Sequence, residues 1–191
     1  YISSQDYVLL EIKMPKEITK TPLAMEVFLT QLYQTGAVTY FDTYWVGKIK
    51  PWFSLEMVSL GGEVKFFIWG QARFKKLIET QIYAQYPDVE IYETEDYTKH
   101  IKHNPNEVTM WGTYFKLAKH DVFPIKTYID YGIEAGDEEE EKVDPITAVI
   151  EYLGSLKEGE QVWIQILIQA HKKEGLREGR WKKRHDWKEE A

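Results

Sequence analysis

The sequence predicts an α+β fold, antiparallel sheets with helices packed on one face, and three observations carry that prediction. Between Trp52 and Asp96, the Gly61-Gly62 pair separates two runs rich in aromatic and β-branched residues and supplies the two positive-φ positions of a two-residue hairpin. Beyond the hairpin, Phe74, Leu77, Ile78 and Ile82 recur at helical spacing, Pro87 stops the helix, and Val89 and Ile91 resume a period of two. Near the end of the chain Gln161 to Ala170 alternates cleanly after another helical stripe, so strand, helix, strand occurs twice.

In chain order, Tyr7 to Met14 alternates with Val8, Leu10, Ile12 and Met14 on one face, which reads as a strand with one buried side ended by Pro15. Thr21-Pro22 gives an N-cap and a first-turn proline, Ala24, Val27, Phe28 and Leu32 form an apolar stripe, and Gly36 closes the helix. Ala37 to Pro51 carries Tyr40, Phe41, Tyr44 and Trp45 without a clear period. An aromatic binding loop is one reading; a connection packing its own aromatics against the hairpin is the favoured one. With the hairpin, second helix and next strand, the order over Tyr7 to Asp96 is β-α-β-β-α-β, a ferredoxin-like split βαβ unit.

A shortened ββαβ unit is expected to follow. Thr98 to Asn106 is a polar linker with a turn at Asn104-Pro105, and Val108 to Leu117 and Pro124 to Tyr131 read as strands. Glu134 to Glu141 is a self-repelling acidic loop, Asp144-Pro145 repeats the cap-plus-proline signature, and Ile146, Val149, Ile150 and Leu153 form a stripe. Gln161 to Ala170 places Val162, Ile164, Ile166 and Ile168 on one side and Trp163, Gln165, Leu167 and Gln169 on the other. The expected organisation is a ferredoxin-like subdomain over 1–97, a ββαβ subdomain over 98–170 with its acidic loop at 134–141, and a charged linker or solvated helix over 171–191.

A chain of 191 residues buries roughly 70% of its unfolded surface, so its stability needs neither metal nor disulfide. It has no cysteine, which removes disulfides and thiolate zinc sites and fits a reducing, cytosolic setting. No apolar run reaches the length of a membrane span. The net charge is −7; residues 171–191 contribute +3 and the preceding 170 carry −10, a poor general surface for a phosphate backbone. Beginning at Tyr1 and ending in a charged tail, the sequence reads as a piece of a longer polypeptide.

Catalytic patterns are missing. There is no GxxxxGK[ST] phosphate loop, GxSxG, HExxH or EF-hand loop, so no enzymatic activity and no cofactor are expected of this chain. His100 and His103 have a metal-like spacing but no third ligand at a family spacing, and they read as a solvated linker; Glu138 to Glu141 reads as a solvated loop. Glu56 and Glu63 face each other across the hairpin without an assigned role. In the tail, Arg180, Trp181, Lys182, Lys183 and Arg184 mix cations with an aromatic ring, as single-strand binders do, although the surrounding acids favour a linker. The sheet lacks the RNA-stacking fingerprint, so Phe66, Phe67 and Trp69 read as packing.

Three segments together carry a resemblance: WFSLEMVSLGGEVKFFIWGQARFKKLIETQIYAQYPDVEI, FPIKTY, and DPITAVIEYLGSLKEGEQVWIQILIQ. They resemble an uncharacterised domain of bacterial membrane-bound proteins of conjugation-type secretion systems, notably in candidate-phyla lineages. In those proteins the domain precedes a P-loop ATPase of the HerA/FtsK and TraG coupling-protein kind. The resemblance covers about Tyr7 to Ala170 and implies membrane helices upstream and an ATPase downstream. The implied role is a non-catalytic, membrane-proximal assembly or adaptor domain of a DNA or protein translocation motor, at the inner face of the cell membrane. Its implied partners are further copies of itself, other secretion-machinery subunits and the ATPase domain. The alternative is a single-stranded nucleic-acid-binding module using the sheet face or the Arg180 to Arg184 patch.

Overall fold

A computed structural model describes residues 5–15, 22–33, 41, 44–47, 49–101, 104, 106–119, 123, 125–131 and 146–169. The fold is α+β. Strands β1 (Tyr7–Lys13), β2 (Trp52–Leu60), β3 (Glu63–Gln71), β4 (Glu90–Thr94) and β5 (Gln161–Gln169) are joined by helices α1 (Pro22–Tyr33), α2 (Lys75–Gln85) and α3 (Thr147–Gly154). One sheet holds all five strands in the order β4-β1-β3-β2-β5, with antiparallel pairing throughout. Nine residue pairs from Trp52↔Gln169 to Leu60↔Gln161 hold β5 on β2, so the sheet draws on both halves of the chain.

The hairpin forms as its turn residues require. Leu60 pairs with Glu63, and Gly61 and Gly62 take φ of 61° and 91°. Gly62 has a second duty that the turn alone does not reveal. A Cβ there would lie 2.6 Å from the Leu156 carbonyl oxygen, because the turn after α3 lies directly against the hairpin. Gly61 N–H donates to the Glu160 carbonyl at 2.9 Å, and Ser59 Oγ donates to the Leu153 carbonyl at 2.7 Å, tying α3 to the same end of the sheet.

The main core fills the helix-covered face. Val8, Leu10 and Ile12 of β1, Phe53 of β2 and Ile68 of β3 meet Phe28 and Leu32 of α1, Ile78 and Ile82 of α2, and Val89. Phe53 lies where a Cβ on Gly70 would come within 2.8 Å of its ring, and Phe74 meets the same ring edge-on at 5.6 Å. In α1 the buried stripe differs from the expected one: Val27 is exposed, and Met25 and Leu29 flank Phe28 and Leu32 against the core. Likewise β1 buries both faces, because Leu9 joins a second cluster on the opposite side.

The second half departs from the expected ββαβ unit. Among the described residues of 108–117 and 125–131 there is no strand. Strand propensity supplies no partner edge, and β5 already occupies the outer edge of β2. At 127–130 a turn forms instead, its Asp130 carboxylate accepting from the Thr127 N–H at 2.7 Å and hydroxyl at 3.1 Å, which holds the acid below its usual range. The caps at Thr21 and Asp144, Gly36, His103, the acidic loop and the tail 171–191 lie outside the described residues.

Candidate functional site

The sheet face opposite the helices concentrates aromatic and polar side chains. Alternation sends Tyr7, Leu9 and Glu11 of β1, Trp52, Glu56 and Val58 of β2, Lys65, Phe67 and Trp69 of β3, and Trp163 and Gln165 of β5 to this side. Leu9, Val58, Phe67 and Tyr97 form its buried centre, with Leu60, Trp69 and Trp163 packed around them.

Tyr97 is the cover, and the sequence assigned it nothing. It opens a 3-10 turn, Tyr97–His100, that Asp96 caps: the Asp96 carboxylate accepts from the Thr98 N–H at 2.9 Å and from the Thr98 hydroxyl at 2.6 Å. The turn drops the phenol between Phe67, at 5.4 Å, and Trp163, at 5.0 Å and edge-on. Its hydroxyl donates to Glu56 Oε2 at 2.7 Å, while Gln165 Nε2 donates to Glu56 Oε1 at 3.3 Å and to the Tyr97 oxygen at 3.0 Å. Three segments far apart in sequence therefore meet at one carboxylate. Glu56, only 8% exposed, is compensated here by neutral donors. Burial first, and the Glu56 hydrogen bond second, push the Tyr97 phenol well above its ordinary value, so it stays a donor.

Beside this network Tyr7 and Trp69 stack at 4.5 Å and 11°, and Trp52 tilts against both at 6.2 and 5.9 Å. Some polar atoms of this face are less well served: Tyr7 Oη, Trp163 Nε1 and both side-chain amide atoms of Gln71 are buried without a hydrogen-bond partner among the described residues. A cleft of about 170 Å³ opens next to Tyr7 and Trp69 and is completed by Glu93, Thr94, Glu95, Asp96 and Lys99. Neither Glu56 nor Tyr97 lines it. Carboxylates crowd its rim, and the tyrosine–carboxylate pair acts as a brace within the sheet.

The residues singled out from sequence fare differently. Phe67 and Trp69 lie on this face, whereas Phe66 packs against the helix-side core. Glu63 pairs with Lys65 at 3.3 Å, apart from Glu56. His100 approaches Glu95 at 3.8 Å; its expected companion His103 is outside the described residues, as are Arg180, Trp181, Lys182, Lys183 and Arg184. Among the described residues there is no cluster of acids and histidines able to hold a metal ion, and no helix long and apolar enough to cross a membrane.

Residues 106–119 belong to no strand and carry Met110, Trp111, Tyr114, Phe115 and Leu117 into solvent. Trp111 is 83% and Phe115 98% exposed, an unusual cost for side chains of this size. Ile125 and Ile129 are exposed as well, and between them Tyr128 ties its own segment to α1 by donating to Glu26 Oε2 at 2.8 Å.

No curated protein and no solved structure gives a significant match to the chain. A family does: residues 5–191 match the domain of unknown function DUF8128, and the chain belongs to that family.

Proposed function

We propose that this chain is a non-catalytic assembly domain whose task is to hold other protein surfaces, as part of the conjugation-type translocation ATPase that its sequence resembles. The observation that supports the reading is the run of large apolar side chains at 108–117, led by Trp111 and Phe115, held out in water by a segment that joins no sheet. Such a surface costs solubility and stabilises only when a partner covers it, and a monomer tolerates few patches of this kind. The parent polypeptide would carry the ATPase and the membrane helices, placing this domain at the inner face of the membrane. Its first four strands, ordered β4-β1-β3-β2 with α1 and α2 on one face, form in this reading a ferredoxin-like scaffold.

Calorimetric titration of the chain with the ATPase-bearing remainder of its parent tests the proposal. Trp111→Ser combined with Phe115→Ser is expected to weaken binding by about 10-fold or more, at unchanged circular dichroism. No heat with the wild type, or equal affinity for the double variant, would reject it.

One observation favours a second reading, a single-stranded nucleic-acid module: Tyr7, Trp52 and Trp69 gather on the sheet face that the helices leave free. Against it, Tyr7 and Trp69 stack on each other, and Glu93, Glu95 and Asp96 border them. Anisotropy titrations with single- and double-stranded DNA over a salt series, using the full chain and a form ending at Ala170, separate the contributions of face and tail.

A further inference from the structure

The two edges of the sheet are built to opposite rules. The β4 edge is short, five residues, and carries Glu90 and Glu93; Lys75 bridges to Glu93 at 2.6 Å, and Lys13 lies over the Tyr92 ring at 4.8 Å. Charges of this kind keep an edge from pairing with another chain. The β5 edge has none of these devices. Its nine residues, Gln161–Gln169, include no charge, no proline and no glycine, and Ile166 and Leu167 are 57% and 68% exposed. Sheet hydrogen bonding ends at β5 among the described residues.

The sequence of β5 also reads alike in both directions. QVWIQILIQ places glutamine at Gln161, Gln165 and Gln169, with three apolar residues in each interval. Set antiparallel to itself about Gln165, the strand pairs Gln161 with Gln169, Val162 with Ile168, Trp163 with Leu167 and Ile164 with Ile166 of a second copy. Every amide side chain meets an amide and every apolar side chain an apolar one. Opposed residues of an antiparallel pair point to the same face, so Val162, Ile164, Ile166 and Ile168 of both copies would form one aliphatic patch on the helix side. A shift by one residue would set glutamines against isoleucines, so the pattern selects its own register.

The geometry points to a second copy of this chain as the occupant of the β5 edge: a twofold dimer in which β5 pairs antiparallel with β5 about Gln165, extending two five-stranded sheets into one of ten. Such an interface is isologous, and its nine residue pairs provide about eight to ten backbone hydrogen bonds, comparable to a typical interface. The inference rests on the assembly reading and names one of its partners, using a stretch of sequence other than the Trp111–Phe115 run.

Sedimentation velocity of the full chain at about 100 µM tests it, with the wild type expected at twice the chain mass and Ile166→Lys/Leu167→Lys at one chain mass with unchanged circular dichroism. The dissociation constant of that variant should rise by about 100-fold or more. Register is read separately. Because the chain has no cysteine, single Ile164→Cys and Ile166→Cys chains, oxidised as a mixture, should give mainly the mixed 164–166 disulfide. A monomeric wild type, or a lysine variant that still dimerises, overturns the inference. So does a dimer whose mixed cysteine chains give no excess of the 164–166 product. The Trp111→Ser/Phe115→Ser chain should remain a dimer. If it alone becomes monomeric, the extended segment is the self-contact, which overturns the β5 interface and leaves the assembly reading standing.

Discussion

Tyr97 illustrates how one side chain can brace a sheet face without any motif to mark it. Removing its hydroxyl leaves the buried Glu56 carboxylate with Gln165 as its remaining side-chain donor among the described residues. Tyr97→Phe is expected to cost about 1–3 kcal/mol in urea unfolding at neutral pH. The pH dependence follows from the direction of the phenol's shift. Its folded pKa is raised above the ordinary 10.0, so its contribution is complete below about pH 10 and is lost as pH rises toward the folded value. Unfolding free energies measured from pH 8 to 11 should therefore fall more steeply for the wild type than for Tyr97→Phe. The glycines offer a matched comparison. Gly62 and Gly159 have similar φ, 91° and 88°, yet an added Cβ meets the Leu156 carbonyl at the first and open space at the second. Gly159→Ala should cost about 1 kcal/mol for backbone strain alone, and Gly62→Ala clearly more, by roughly 2 kcal/mol or above, in the same assay.

Among the helices, α3 buries a single residue, Leu153, while Val149 and Tyr152 face solvent. Leu153→Ala should cost about 2–5 kcal/mol in thermal or chemical unfolding, whereas Tyr152→Ala should stay within roughly 0.5 kcal/mol. Elements with local signals were legible in the sequence. The hairpin follows from two glycines between aromatic runs, α2 from Ile78 and Ile82 before Pro87, and β5 from alternation. What was not legible depends on pairing at a distance. Nothing near Val108 says that β5 will take the edge of β2, and nothing near Tyr97 says that Glu56, 41 residues earlier, needs a donor. For the same reason the candidate site escaped a motif search, since its polar members come from β2, β5 and the turn after β4, with no fixed spacing among them.

At the scale of the whole molecule, protection should fall from the middle of the sheet outward. β3 is flanked by β1 and β2, so its amides are expected to exchange with solvent only near global unfolding, while α3 and β4 exchange through smaller openings; hydrogen exchange read by mass spectrometry checks this order. The same strand order has a consequence during synthesis. A ribosome finishes β2 at Leu60 but must add a further hundred or so residues before β5, ending at Gln169, can cover it. At about 5–20 residues per second that interval lasts roughly 5–20 s, and once β4 is complete at Thr94, β2 is itself the bare margin of a nascent four-stranded sheet. Polysomes translating this message hold such margins in close succession, and an early encounter between neighbouring nascent chains would place a foreign strand where β5 belongs.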